Sequence, residues 1–322
     1  MNKQSFSTNK ILAPKQQYQD MRDAFFEELF QIASLDKDVI VLMADQGAMT
    51  FKKFEERIPD QLINVGIAEQ NMISVAAGLA LCGKKVFAHA IANFTTLRCY
   101  EQIKVDLSIM NLPVTIVGIG AGFTYGSDGP THHANQDIAP MRAIPGIRIL
   151  NASDTVNLSA FPHIAYQTPH LTYIRIDKDS YTVPYDKNHN FLDGIYEVIK
   201  GEETVIISTG VMIRQAVNIA NQFKTKVGII NIYQPKPLNE KKLYNLLQPY
   251  KNIVVIEEHL SYGGLATIIA DFLVDYSVNK KFLRIGLPDE NSFIYGDREY
   301  MHKKIGISPS QITSKINIFF KN

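Results

Sequence analysis

One carboxylate stands out for the chemistry its surroundings would permit. In the stretch Leu62 to Leu81, read LINVGIAEQNMISVAAGLAL, Glu69 follows a short apolar run and opens a helix in which Met72, Val75, Ala76, Leu79 and Ala80 recur at helical spacing. An acid in a first helical turn can simply complement the helix dipole. Here the helix behind it has almost no further charge and carries the small residues Ala76, Ala77, Gly78 and Ala80, which predicts close packing and burial. A carboxylate drawn into such an interior is either paired or pushed toward its protonated form, because burial penalises charge. A carboxyl that can hold and pass a proton is the chemistry this stretch offers.

Two further places present reactive groups. Asp45 lies just past the continuous apolar run Val39 to Met43, at the carboxyl end of a strand, where open α/β sheets collect their ligands. The loop GIGAGFTYGSDGPTHHANQD, Gly118 to Asp137, is too long and glycine-rich for a simple connection, and such loops are functional or disordered. It carries Asp128, His132 and His133, and a histidine beside a carboxylate can shuttle protons near neutral pH.

The elements that must position these groups alternate strand and helix. Asp20 is a plausible N-cap for a helix with Met21, Ala24, Phe25, Leu29 and Ile32 on one face. The expected strands of a first domain, residues 20–176, are Val39–Met43, Leu62–Val65, Val86–Ala90, Val114–Gly118, Ile147–Leu150 and Leu171–Ile176. A helix is expected through Arg98, Tyr100, Ile103 and Leu107, with others around Ile138–Ala143 and from Asp154. A polar linker, residues 177–190, leads to a second α/β domain, residues 191–322. Its expected strands are Thr204–Ser208, Val227–Ile232, Ile253–Ile256 and Phe282–Ile285. The fold class is therefore α/β, two doubly wound domains. Residues 1–19 are polar and read as a tail, neither a secretory signal nor a membrane span.

Composition narrows the function. A chain of 322 residues with a net charge of +1 and no basic stripe gives no electrostatic case for nucleic acid or an anionic membrane. The only cysteines, Cys82 and Cys99, sit in no CxxC or Cys/His cluster, so neither a disulfide framework nor a zinc site is expected, and a reducing cytoplasm fits.

GIAEQNM around Glu69, FTTLRCYEQI from Phe94, DGPTHHANQDIAPMRAIPGI from Asp128 and the EEH…GG segment from Glu257 to Gly264 together resemble the transketolase family, in the family's order and spacing. More closely, the chain resembles the C-terminal subunit of a split transketolase, a thiamine diphosphate pyrimidine-binding domain followed by a transketolase C-terminal domain. The resemblance runs from about residue 20 to the end. It implies that Glu69 hydrogen-bonds the aminopyrimidine nitrogen of thiamine diphosphate, that Phe94 packs on that ring, and that Asp45 belongs to the cofactor site. It further implies that Asp128 and His132 recognise sugar hydroxyls, His132 with a catalytic share, and that Arg175 meets a sugar phosphate. Taken singly, Phe94 could be a core residue, His132 a loop-ordering one and Arg175 a solvated strand-end charge. Arg98 would pair with Glu101 or Asp106.

The family's diphosphate and metal site is marked by GDG, which is absent from this sequence, and nothing else here supplies the hard oxygen ligands and phosphate-facing amides. The resemblance thus implies a separate N-terminal, diphosphate-binding subunit that holds the Mg or Ca ion, self-association as α2β2, and transfer of a two-carbon ketol unit between sugars or sugar phosphates. The sequence departs from the family pattern at Ile91, where a second aromatic is common, at His133, where Gln is usual, and at Met49 and Thr50, near a phosphate-binding serine. Those departures leave open a modified or nucleotide-linked sugar. Two other readings compete: an E1 β-type subunit of a 2-oxo acid dehydrogenase, against which the polar DGPTH loop argues, and a non-catalytic regulatory subunit.

Overall fold

The computed structural model describes residues 10–14, 20–178 and 183–321. In chain order the first half contains α1 (Met21–Leu35), β1 (Val39–Met43), α2 (Phe51–Arg57), β2 (Leu62–Asn64), α3 (Glu69–Leu81), β3 (Lys85–Ile91), α4 (Ala92–Thr96), α5 (Tyr100–Gln102), β4 (Thr115–Ile119), α6 (Ile138–Ala143), β5 (Arg148–Asn151), α7 (Thr155–Gln167) and β6 (Thr172–Ile176). Its strands form one parallel sheet in the order β2-β1-β3-β4-β6-β5. Continuous apolar strands are what a sheet covered on both faces requires. One face packs against Phe25, Phe26 and Leu29 of α1 and Leu158 and Phe161 of α7. The other packs against Met72, Ile73 and Ala76 of α3, with Ile103, Leu107 and Met141. Each fully buried side chain of this size contributes about 1.5–3 kcal/mol of transfer free energy. Asp20 caps α1 as expected, accepting from the amides of Arg22 (2.8 Å) and Asp23 (3.3 Å).

The second half comprises β7 (Ile195–Ile199), β8 (Thr204–Ser208), α8 (Met212–Ala220), β9 (Gly228–Ile232), α9 (Glu240–Leu247), β10 (Asn252–Leu260), α10 (Leu265–Asp275), β11 (Lys281–Leu287), α11 (Arg298–Ile305) and α12 (Pro309–Lys321). The sheet order is β11-β10-β8-β9-β7, parallel except for β7, an antiparallel edge strand absent from the sequence expectation. Beyond Ile256, which pairs with Ser208, β10 outruns β8 and projects its last residues toward the first domain. That projection matters for the site.

Three expectations change. The helix after Glu69 is buried on one face only: Gly78 and Leu81 are exposed, because the helix covers the sheet with Met72, Ile73, Ala76 and Ala77 and turns its remaining small and apolar residues outward. The single helix expected through Arg98 and Leu107 is broken. Thr95 and Thr96 bond back to the carbonyl of Ala92 at 3.1 and 2.6 Å, and the chain kinks before α5 and continues as π-helix, Ile103–Ile109. Hydroxyls that compete for helix carbonyls bend helices, and π-turns gather at functional sites. Most of the expected tail, residues 1–19, lies outside the described residues. Within 10–14, Ile11 is buried and its amide donates to Asn190 at 2.9 Å, so that piece packs on the body.

Candidate functional site

Glu69 is the first residue of α3, delivered there by β2 and a turn at Gly66, whose φ of 73° suits glycine. Asn64, at the end of β2, fixes that turn by accepting from the Gly66 amide at 2.9 Å and from the Asp45 amide at 3.2 Å. Glu69 is 4% exposed, and its carboxylate accepts from Arg98 Nη1 at 2.6 Å. Of the two fates open to a buried carboxylate, pairing is the one realised. Arg98 therefore does not pair with Glu101 or Asp106; the latter accepts instead from Ser74 Oγ at 2.7 Å. The kink before α5 turns the guanidinium back over Phe94, 4.2 Å from its ring centroid. Helical spacing alone points Arg98 elsewhere, so the sequence does not mark it as a site residue. Burial pushes the neighbouring Cys99 thiol up to about 12, with the Glu69 charge adding to the effect, so Cys99 is no nucleophile near neutral pH.

Phe94 joins this pair to the glycine-rich loop. The His132 ring meets it edge to face, with centroids 5.1 Å apart at 69°. His132 is held by Thr131 Oγ1, 3.0 Å from Nδ1, and Tyr125 lies on its other side with centroids 6.1 Å apart. The Asn93 amide donates to the carbonyls of Thr131 (3.0 Å) and His133 (3.1 Å), pinning this end of the loop to α4. His133 faces inward against Phe123, and burial lowers its pKa. Asp128 is exposed on the same loop, its amide donating to the Tyr125 carbonyl at 2.9 Å. Glu69, Phe94 and His132 thus converge, with Asp128 on the turn above them. Asp45 is exposed in a left-handed conformation at φ 55° and is tied to Asn64, a neighbour of the Glu69 turn rather than of the carboxylate.

Arg175 is buried and is not a solvated strand-end charge. It is 4% exposed and three of its donors bond inside the protein. Nε binds Asp137 at 2.8 Å, Nη2 the Ala134 carbonyl at 2.5 Å and Nη1 reaches Asn151 at 3.5 Å, while Tyr173 donates to the same Asp137 oxygen at 2.6 Å. The guanidinium is thus oriented by a buried carboxylate and a loop carbonyl. Its work is to hold the end of the glycine-rich loop.

The start of that loop is held by the second domain. Glu258, on the projecting end of β10, accepts from the Phe123 amide at 3.0 Å and from His302 Nε2, and pairs with Arg298 Nε at 3.1 Å. Burial would raise the Glu258 pKa, but Arg298 first and then His302 outweigh it, and the carboxyl is held at about 2. Arg298 also donates to the Ala121 carbonyl (3.1 Å), Thr124 Oγ1 (2.9 Å) and Asp177 (2.5 Å). A cavity of about 880 Å³ on the far side of this cluster, lined by Arg214, Gln215, His302 and Lys303 among others, contains none of Glu69, Phe94, Asp128 and His132.

The arrangement is an acceptor beside an aromatic face, with a flat cation spanning both. A heteroaromatic ring that donates from its edge and stacks on its face, such as an aminopyrimidine, matches those two contacts. Among the described residues no group of three His, Cys, Asp or Glu side chains could hold a metal ion.

Comparison with known proteins agrees. Residues 17–184 match the family described as transketolase, pyrimidine binding domain, and residues 195–312 the family described as transketolase, C-terminal domain. The chain is 29% identical over 307 residues to one subunit of the apulose-4-phosphate transketolase of Phocaeicola vulgatus, covering 93% of this chain and 97% of that protein. It is 30% identical over 299 residues to a 6-deoxy-6-sulfo-D-fructose transketolase subunit of a Clostridium species, covering 91% and 92%. Among solved structures, a split-gene transketolase described as an inactive β4 tetramer superposes with a TM-score of 0.83 at 24% identity, covering 94% of this chain and 98% of that one. A transketolase of Pichia stipitis gives 0.78 at 17% identity, this chain spanning 47% of that longer one.

Proposed function

The chain belongs to the transketolase family, and from that premise we propose that it is the C-terminal subunit of a split transketolase, active only with a separate N-terminal subunit that binds the diphosphate and metal of thiamine diphosphate. The observation that carries this reading is the convergence of Glu69, Phe94 and His132 past the carboxyl ends of β2, β3 and β4 in a sequence that contains no GDG. When bound, the cofactor supplies the group that takes up a two-carbon ketol unit from one sugar and gives it to another.

The chain's residues do the rest. Glu69 holds a proton in common with the ring nitrogen, and its depth at the start of α3 keeps water from competing for it. Phe94 covers one ring face. His132 and Asp128 meet the sugar hydroxyls, His132 moving a proton at its free Nε2. Asp45 borders the cofactor site through Asn64. Arg98, which now spans Glu69 and Phe94, yields or shares that place when the ring docks. Met49, 83% exposed near the position of the family's phosphate-binding serine, supports a modified sugar. The names of the relatives, an apulose-4-phosphate and a 6-deoxy-6-sulfo-D-fructose transketolase subunit, support an unusual sugar that carries a phosphate in one case and a sulfonate in the other.

Exposed Ile67, Leu81, Val105, Ile109 and Met110, on and beside the outward face of α3, support a partner surface and an α2β2 assembly. The free thiols, Cys82 exposed and Cys99 buried, support a reducing cytoplasm. Titrating thiamine diphosphate and Mg into the chain, with and without its partner subunit, tests the reading. Weak binding alone and tight binding with the partner is expected; tight binding to the isolated chain, or pyruvate decarboxylation by the complex, overturns it.

A further inference from the structure

Glu257 and Glu258 are adjacent on β10, just past its last residue paired with β8, so their side chains leave in opposite directions. Glu257 turns into its own domain and caps α10, accepting from the amides of Leu265 at 2.6 Å and Ala266 at 2.8 Å. Glu258 turns to the other domain. Its acceptor oxygen takes the Phe123 amide, and the space is so tight that a Cβ on Gly122 would lie 1.7 Å from Oε2. Two residues further along the same strand, the Leu260 amide donates to the Asn135 carbonyl at 2.7 Å. Gly122 and Ala134 close the base of the loop with a 2.8 Å backbone bond. One strand of the second domain therefore grips both legs of the loop that carries Asp128 and His132.

We propose that Glu258 is a positioning residue for the proposed transfer reaction: through Phe123, and with Arg298 and His302, it sets where the sugar-facing head of the loop stands over Phe94. A buried ion cluster is a poor way to glue domains together, since apolar residues of similar volume do so as well or better, whereas it does impose a single geometry. The apolar alternative is available in this seam, where Phe123 already packs with Met301. The charge is thus spent on the amide and carbonyls at the loop base, Phe123 and Ala121, not on adhesion.

The inference rests on the transketolase reading. Its test uses the reconstituted complex with Glu258→Gln, which keeps shape and one acceptor but loses the charge. The Michaelis constant for the sugar should rise on the order of 10–100-fold, as expected when a substrate-facing group is displaced by about 1 Å. Thiamine diphosphate affinity, which depends on Glu69 and Phe94, should stay within about twofold, and hydrogen exchange should accelerate at 121–135 but not in α10. His302→Gln, which keeps a donor to Glu258, should show the same pattern at smaller size and serves if the first variant does not assemble. Unchanged sugar affinity in a folded complex, or parallel loss of cofactor and sugar affinity, overturns the proposal. A wild-type complex that binds the cofactor but transfers no two-carbon unit would defeat the functional reading instead.

Discussion

Glu69 and Glu258 are both 4% exposed, and each faces an arginine, yet the two pairs are built for different ends. Glu69 has one charged partner, Arg98, whose side chain is 43% exposed and which reaches it from a kinked helix. Glu258 has Arg298, 15% exposed, together with His302 and the Phe123 amide, and Arg298 is itself tied to Asp177. An ion pair open to solvent on one side costs little to dissolve, while one closed on all sides leaves an uncompensated charge if a member is removed. The first pair is open on one side, its cation lying over the Phe94 ring that the proposed function assigns to a planar ligand. The second is a fixture of the domain seam.

That contrast can be broken in several ways. The largest effect is expected from Glu69→Gln, which should lower turnover of the reconstituted enzyme by roughly 10³-fold, in the range of a lost proton-transfer group, with the denaturation midpoint almost unmoved; steady-state kinetics and urea unfolding check the two halves. Glu258→Ala should do the reverse to stability. Breaking a closed pair costs about 3–5 kcal/mol; Glu69→Ala, which leaves only the half-exposed Arg98 without its partner, should cost less, and equal losses from Glu258→Ala and Glu69→Ala would erase the distinction.

Acid should act through the seam first. Because the folded Glu258 carboxyl is held at about 2, below its ordinary 4.5, its contribution to stability is complete above the unfolded value and is lost as pH falls from there toward about 2. The urea midpoint of the wild type should therefore decline below about pH 4.5, more steeply than that of Glu258→Gln. The smallest effect belongs to Arg98→Met. It frees Glu69 and Phe94 without adding a contact, so thiamine diphosphate should bind the complex up to about tenfold tighter, within 1.4 kcal/mol. Calorimetry that finds weaker binding would show that the arginine packs on the ring instead of vacating it.

Much of this architecture was readable along the chain. Runs such as Val39–Met43 and Thr204–Ser208 are uniformly apolar, which a strand tolerates only when both faces are covered. The edge strand Ile195–Ile199 escaped because an edge strand is only half buried and lacks that signal. Glu69, Asp128 and His132 are reactive types in short conspicuous stretches, Phe94 is marked only by the resemblance, and the structure brings Phe94 against His132 and against the arginine that pairs with Glu69. Arg98 was not, since its direction depends on a kink set by Thr95, Thr96 and the π-turn. The partner of Arg175 was hidden for the complementary reason: an arginine at the end of a strand looks the same in sequence whether it faces solvent or a buried aspartate 38 residues away.

The sequence by itself determined which groups could do chemistry, the strand and helix that carry Glu69, and the absence of a GDG diphosphate motif, because those follow from residue type and local periodicity. The tertiary structure alone decided who partners whom. Glu69 with Arg98, Asp137 with Arg175 and Glu258 with Phe123 are contacts between residues 29, 38 and 135 positions apart. Charge pairing at such separations is set by how sheets and domains pack, and packing is a property of the whole chain.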